Sequence, residues 1–142
     1  GGLRIPLLDS GQITVGEIYE LMPFDNTLVE CMVSGEELMI FIEHMVEQGG
    51  WPVSRGIQIV AEGEQITALI QGKRIEPKRR YRVLVNNYIA GGGSGCDFMN
   101  SWMKEDSGIL LRDVIIEHIR EETENGESFF AEMESRIIIF NN

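Results

Sequence analysis

Val85-Asn86-Asn87-Tyr88-Ile89-Ala90-Gly91-Gly92-Gly93-Ser94-Gly95 (VNNYIAGGGSG) runs an apolar strand into an aromatic ring and then into four glycines and a serine. Glycine frees the φ angle and lets backbone approach a flat ligand closely. An aromatic at the edge of such a loop can stack on a base or a sugar face. It can equally be a packed ring above a tight turn. The spacing is not G-x-G-x-x-G and no secure helix follows at once, so this is no dinucleotide fingerprint. The Lys-Ser/Thr ending of a phosphate-binding Walker loop is missing as well.

The flanking sequence gives the glycine loop its setting. On its N-terminal side, GIQIVAEG (56–63), ITALIQG (66–72) and YRVLVNN (81–87) read as short strands parted by turn residues, with Gly72 and Pro77 marking the last turn. Earlier in the chain, Thr14 and Glu17 have capping-box spacing and Pro23 supplies a stop, so 12–22 reads as a short helix. TLVECMV (27–33) is rich in β-branched and apolar residues and reads as a strand. Ser34 and Glu37 repeat the capping pattern. Behind them Leu38, Phe41, Ile42, Met45 and Val46 recur at helical spacing until Gly49-Gly50 ends the helix. Beyond the loop, 98–103 is ambiguous. Ser107 is placed to cap a helix over 108–122, with Leu111, Val114, Ile115 and Ile119 inward. The Glu-rich 121–128 reads as a solvated helix end plus loop, and SRIIIF (135–140) as a closing strand. Helices and strands do not alternate regularly. The expectation is an α+β domain, a mixed sheet with packed helices, rather than a doubly wound one. With no repeat and no linker, residues 1–142 read as a single domain.

Composition narrows the function classes. A 43% hydrophobic and 25% charged content is that of a globular chain. The net charge of −11 argues against nucleic-acid backbone or an acidic membrane surface as a general partner. A small anion held by one or two arginines stays compatible with it. No apolar run is long enough to span a membrane, and no signal peptide opens the sequence. The start, Gly1-Gly2-Leu3-Arg4, reads as the interior of a longer chain. Cys31 and Cys96 define neither a disulfide framework nor a metal site.

Hydrolytic chemistry is not visible in the side chains. Metal catalysis needs clustered His, Asp, Glu or Cys, and the two histidines, His44 and His118, sit on separate expected helices with no His-x-x-x-His or Asp-x-His pairing. His44, beside a core face, reads as packed or helix-surface. No nucleophile elbow is present. The basic segment KRIEPKRRYR (73–82) holds six of the twelve Lys and Arg residues, and is either a solvated turn or a docking surface for an acidic partner or another domain. Phe24, in LMPFDNT, follows a helix stop and precedes two turn formers, Asp25 and Asn26. It either plugs the core or projects from its loop. Two rings at separate loop edges can clamp a planar base, at roughly 1–3 kcal/mol per stack.

Taken in order, GGLR at 1–4, ITVGEIYELMPFDNTLV at 13–29, SGEELMIFIEHMV at 34–46, GIQIVAEG at 56–63, YRVLVNNYIAGGGSG at 81–95 and the final ESRIIIF resemble the C-terminal domain of the 5'-nucleotidase family. That family includes ecto-5'-nucleotidases, bacterial UDP-sugar hydrolases and cyclic-nucleotide phosphodiesterase/nucleotidases. The resemblance covers essentially the whole chain. Its most specific pieces are the G-G-x-R start, the L-x-P-F-x-N-T turn, the E-H helix and the N-[YF]-[IL]-A-x-G-G segment.

The resemblance implies an N-terminal metallophosphatase domain, outside this chain, that carries two metal ions and the attacking water. It also implies a C-terminal domain that recognises substrate and rotates against that partner. Carried over, Phe24 and Tyr88 form the base clamp. Arg4 reaches the phosphate, which its fork geometry suits, and Asn87 makes a secondary contact. An asparagine common before the family's first glycines would precede Gly1. Where the family has an aspartate for the ribose hydroxyls this chain has Ser94, with Asp97 as a nearby substitute. Tyr88 stands for the commoner phenylalanine, adding a polar handle to a stacking ring. On this reading 1–142 holds no catalytic residue and no metal ligand, and is inactive alone. Its partners are a nucleotide or nucleoside and the metallophosphatase domain, not nucleic acid. A homodimer is left open. The implied location is periplasmic, cell-surface or secreted. Two alternatives accompany this reading: a non-catalytic binding module that kept the fold, and a hydrolase of a non-nucleotide ester.

Overall fold

The computed structural model describes residues 11–127 and 134–140. Thr14 accepts a hydrogen bond from the Glu17 amide, and the Glu17 carboxylate accepts from the Thr14 amide and hydroxyl. That reciprocal cap starts helix α1 (Val15–Leu21), which buries Ile18. Strand β1 (Thr27–Ser34) buries Val29, Cys31 and Val33 on one face, as a period of two requires. Ser34 and Glu37 repeat the cap and open α2 (Gly35–Glu47), which buries Leu38, Phe41, Ile42 and Met45.

Strands β2 (Ile57–Glu62), β3 (Gln65–Ile70) and β4 (Lys73–Arg74) follow as an antiparallel meander. The β3–β4 turn is Gln71-Gly72, both at positive φ, the type I′ geometry that matches the twist of a hairpin. Strand β5 (Arg80–Asn86) returns beside β1. Asn86 then accepts from the Ile89 amide and caps the short helix α3 (Asn87–Ala90). The strand expected over 81–87 therefore stops one residue early, because Asn86, the last residue paired with β1, also caps the helical turn that follows.

Two 3₁₀ turns, Gly93–Gly95 and Asp97–Ser101, carry the chain onward and resolve the ambiguous segment. The helix expected from Ser107 is corrected. Residues Met103–Leu110 form β6, an edge strand on β1, and helix α4 spans Leu111–Glu124. Ser107 does accept a local amide bond, from Ile109, but its hydroxyl donates to the Leu28 carbonyl across the sheet, so the cap-like residue serves a strand. The inward face of α4 is also shifted: Arg112 and Ile116 are buried, while Val114 is exposed. Strand β7 (Ile137–Phe140) pairs in parallel with β2.

The result is α+β, with a three-stranded antiparallel sheet ordered β5-β1-β6 and a mixed four-stranded sheet ordered β4-β3-β2-β7. One core joins them. Residues of β1 and α2 meet Ile59 and Ala68 of the second sheet, and Ala90, Cys96, Met99 and Trp102 from the segment after β5. Phe41, Phe98 and Trp102 stack at centroid distances of 5.7–6.3 Å, which seats the glycine loop against α2. The basic segment at 73–82 is mainly surface, yet its backbone is used. The Gly35 and Glu36 amides donate to the Arg79 and Pro77 carbonyls, giving the start of α2 its acceptors.

Candidate functional site

Strand register brings the two aromatics of interest to the same end of one sheet. Leu28 of β1 faces Asn86 of β5. Phe24 lies just before β1 begins and Tyr88 just after β5 ends, so both leave the same end of the same sheet from neighbouring strands. Phe24 is 43% exposed and Tyr88 58%, so neither ring plugs the core.

Each ring sits on a segment held from elsewhere in the chain. The loop of Phe24 is gripped by Arg112, the buried first-turn arginine of α4. Its Nη1 donates to the Met22 carbonyl at 3.0 Å and the Phe24 carbonyl at 3.4 Å, and its Nη2 donates to Asp25 Oδ1 at 2.6 Å. The guanidinium also lies 4.0 Å from the Tyr19 ring centroid, a cation–π contact to α1. The bond to Asp25 raises the Arg112 pKa further, so the group stays charged despite its burial. The Leu111 amide adds a bond to the Asn26 carbonyl. Sequence reasoning missed Arg112. Its signal was an arginine in line with Ile116 and Ile119 on one helical stripe.

The Tyr88 side is built differently. The ring lies against the glycine loop: a Cβ on Gly93 would meet Tyr88 ring carbons at 2.6 Å and its carbonyl oxygen at 2.5 Å. Only glycine fits beneath that ring. The Ser94 amide donates to Tyr88 Oη at 3.2 Å, and the Ser94 carbonyl accepts from His44 Nε2 at 2.8 Å. Lys104 of β6 donates to the Ala90 and Met99 carbonyls at 2.6 and 3.0 Å, tying both ends of the loop together.

Among the other expected site residues, Asn87, Ser94 and Asp97 are all exposed on or beside this loop. Asp97 turns onto the backbone of Gly92, where an added Cβ would lie 2.8 Å from Oδ1. Arg4 lies outside the described residues. Among the described residues no group of three or more His, Cys, Asp or Glu converges to hold a metal, so they do not fit a two-metal centre. Cys31 and Cys96 are free and buried, and burial pushes both thiols up, away from the reactive thiolate. No helix among the described residues is long and apolar enough to cross a membrane.

The described residues form an α+β domain in which two exposed rings leave the same end of one sheet. The chain belongs to the family described as 5'-nucleotidase, C-terminal domain, which matches residues 1–101. It is 30% identical over 127 residues to protein UshA of Yersinia enterocolitica, covering 84% of this chain and 22% of that protein. In structure it is similar to a 5'-nucleotidase precursor from Thermus thermophilus, with a TM-score of 0.70 and 26% identity over 92% of this chain and 28% of the other. The NAD nucleotidase of Haemophilus influenzae shares the fold, with a TM-score of 0.70 and 21% identity over 89% of this chain and 26% of that one. The chain thus spans under a third of the length of each of these relatives.

Proposed function

We propose that this domain holds the base of a nucleotide or nucleoside between Phe24 and Tyr88, on behalf of a phosphoester hydrolase of which it is one part. The observation that carries the reading is the Leu28–Asn86 register, which brings two exposed rings to one end of one sheet. Stacking on two faces recognises any planar base, so it gives affinity with modest base preference. Asn87, Ser94 and Asp97 line the adjacent loop and are the polar groups for the sugar. Arg4 is the phosphate partner by family resemblance.

Catalysis belongs to a metallophosphatase domain elsewhere in the parent polypeptide, where two metal ions supply the activated water and neutralise developing charge. This domain orients the ester toward that centre, and orientation lowers the barrier by turning an encounter into a positioned reaction. On the same resemblance, the parent enzyme works in the periplasm, at the cell surface or outside the cell. A second reading, a binding module without hydrolysis, is favoured by Ser94 standing where a ribose-binding aspartate is usual. Asp-x-His and Gly-Asn-His-Asp/Glu motifs upstream in the coding sequence distinguish the two.

Ligand-observed NMR with adenosine, AMP, UMP and a UDP-sugar tests the clamp. Binding is expected, and Phe24→Ala and Tyr88→Ala are each expected to weaken it by roughly 1–3 kcal/mol. Binding that neither substitution alters overturns the reading.

A further inference from the structure

Tyr88 is joined to the core of α2 by a short series of contacts. Helix α2 is fixed by the burial of Phe41, Ile42 and Met45. Between them on the helix, His44 is wedged edge-on against Trp51 and Phe98, each at a centroid distance of 5.6 Å. In that packing Nε2 lies 2.8 Å from the Ser94 carbonyl oxygen. A carbonyl only accepts, so Nε2 carries a proton and donates.

Ser94 itself has φ 55°, the left-handed region that a residue with a Cβ enters at a cost. Both of its backbone groups are used, the carbonyl accepting from His44 Nε2 and the amide donating to Tyr88 Oη. These bonds hold the serine in that conformation, and the bare backbone of Gly93 lets the tyrosine ring lie flush on the loop.

We propose that His44 is the positioning residue of the Tyr88 jaw, acting through the Ser94 backbone, and that the Tyr88 hydroxyl is there to receive that link. The inference rests on the base-clamp reading for its functional consequence, though not for its geometry. A phenylalanine at this position stacks on a base equally well but has no acceptor for the Ser94 amide. In this chain the hydroxyl therefore converts a ring with rotational freedom into a preset surface, and preset groups bind more tightly because less motion is lost on binding.

The test uses the full-length protein that carries this chain, with two readouts. The first is adenosine affinity in Tyr88→Phe, His44→Phe, the double variant and His44→Gln. Each single substitution is expected to weaken binding about fivefold, the effect of one net hydrogen bond. The double variant should lose no more than the weaker single, because both cut the same link. His44→Gln should recover most of the loss, since its amide nitrogen can donate to the Ser94 carbonyl.

The second readout needs no ligand. With fluorotyrosine incorporated, the Tyr88 fluorine resonance, assigned by its absence in Tyr88→Phe, should shift or broaden in His44→Phe and return toward wild type in His44→Gln. A Tyr88 resonance unmoved by His44→Phe, or additive losses in the double variant, overturns the proposal. Failure of the wild-type protein to bind any nucleoside would instead strike the clamp reading, while the ligand-free resonance still decides the role of His44. Should His44→Phe fail to fold, His44→Leu, which also lacks a donor for the Ser94 carbonyl, takes its place in both readouts with the same expected and overturning results.

Discussion

A single buried arginine decides how one half of the candidate site is held. Arg112 reaches a carbonyl 90 residues away in sequence, and its three bonds converge on the loop that presents Phe24. Lysine has one ammonium where arginine has a planar fork, so it cannot serve two carbonyls and a carboxylate in the same geometry. If the proposed base clamp holds, Arg112→Lys lowers affinity for AMP by roughly tenfold, because a displaced loop misplaces the Phe24 ring. Titration calorimetry checks this, with Tyr88→Ala as the comparison. The loss should be smaller in a Phe24→Ala background, where no ring remains to misplace.

Among the elements, the start of α2 offers the sharpest predictions. Gly35 has no room for a side chain: a Cβ there would lie 2.1 Å from the Glu76 carbonyl oxygen. Gly35→Ala must push the 76–79 segment off the helix N-terminus, against the amide bonds that Gly35 and Glu36 give it. A destabilisation of roughly 1–3 kcal/mol is expected, as for overpacked sites generally, and urea unfolding measures it. The same helix start carries a pH signature. Hydrogen bonds from the Ser34 amide and hydroxyl hold the Glu37 carboxyl below its ordinary value of 4.5. A depressed carboxylate contributes stability that is fully present above that ordinary value and is lost as pH falls through the folded-state value. Glu37→Gln should therefore be less stable than wild type at neutral pH, and the difference should close as pH falls below 4.5 and through the lowered folded-state value. Thermal melts across pH 3–7 decide it: a difference that stays constant with pH rules out the capping carboxylate as its source.

For the molecule as a whole, charge sets the conditions. A net charge of −11 on a chain of this size repels itself. The ion pairs Arg82–Glu30, Arg79–Glu76 and Arg120–Glu117 are exposed and offset little of it. Raising sodium chloride from low to physiological concentration should raise the melting temperature by a few degrees, by shortening the range of that repulsion. A melting temperature that falls with salt would mean that attractive surface pairs outweigh the net charge. The two sheets bear on the same scale. They share one core through α2, so loss of packing at Phe41 or Ile59 is felt at the end of the first sheet where the two rings emerge.

What the sequence determined by itself is everything written in short range. Both capping boxes, the α2 stripe, the strands expected within 27–33, 56–63 and 66–72 and the closing strand follow from residues a few positions apart, and the structure has strands there, over 27–34, 57–62, 65–70 and 137–140. The family resemblance likewise rested on ordered local motifs. Tertiary structure alone decided the rest. Residues 103–110 are polar and weakly patterned, and only pairing with β1 makes them a strand. Arg112 looks like any helix-surface arginine until the fold closes over it. That Phe24 and Tyr88 leave the same end of one sheet is a matter of register between strands far apart in sequence. Even the glycines beside Tyr88 acquire a reason only in three dimensions, where Gly93 makes room for the ring of the chain's own tyrosine. Hydrogen bonds within one turn are fixed by neighbours. Bonds that close long loops depend on which surfaces the whole chain can bury together, and no local pattern encodes that.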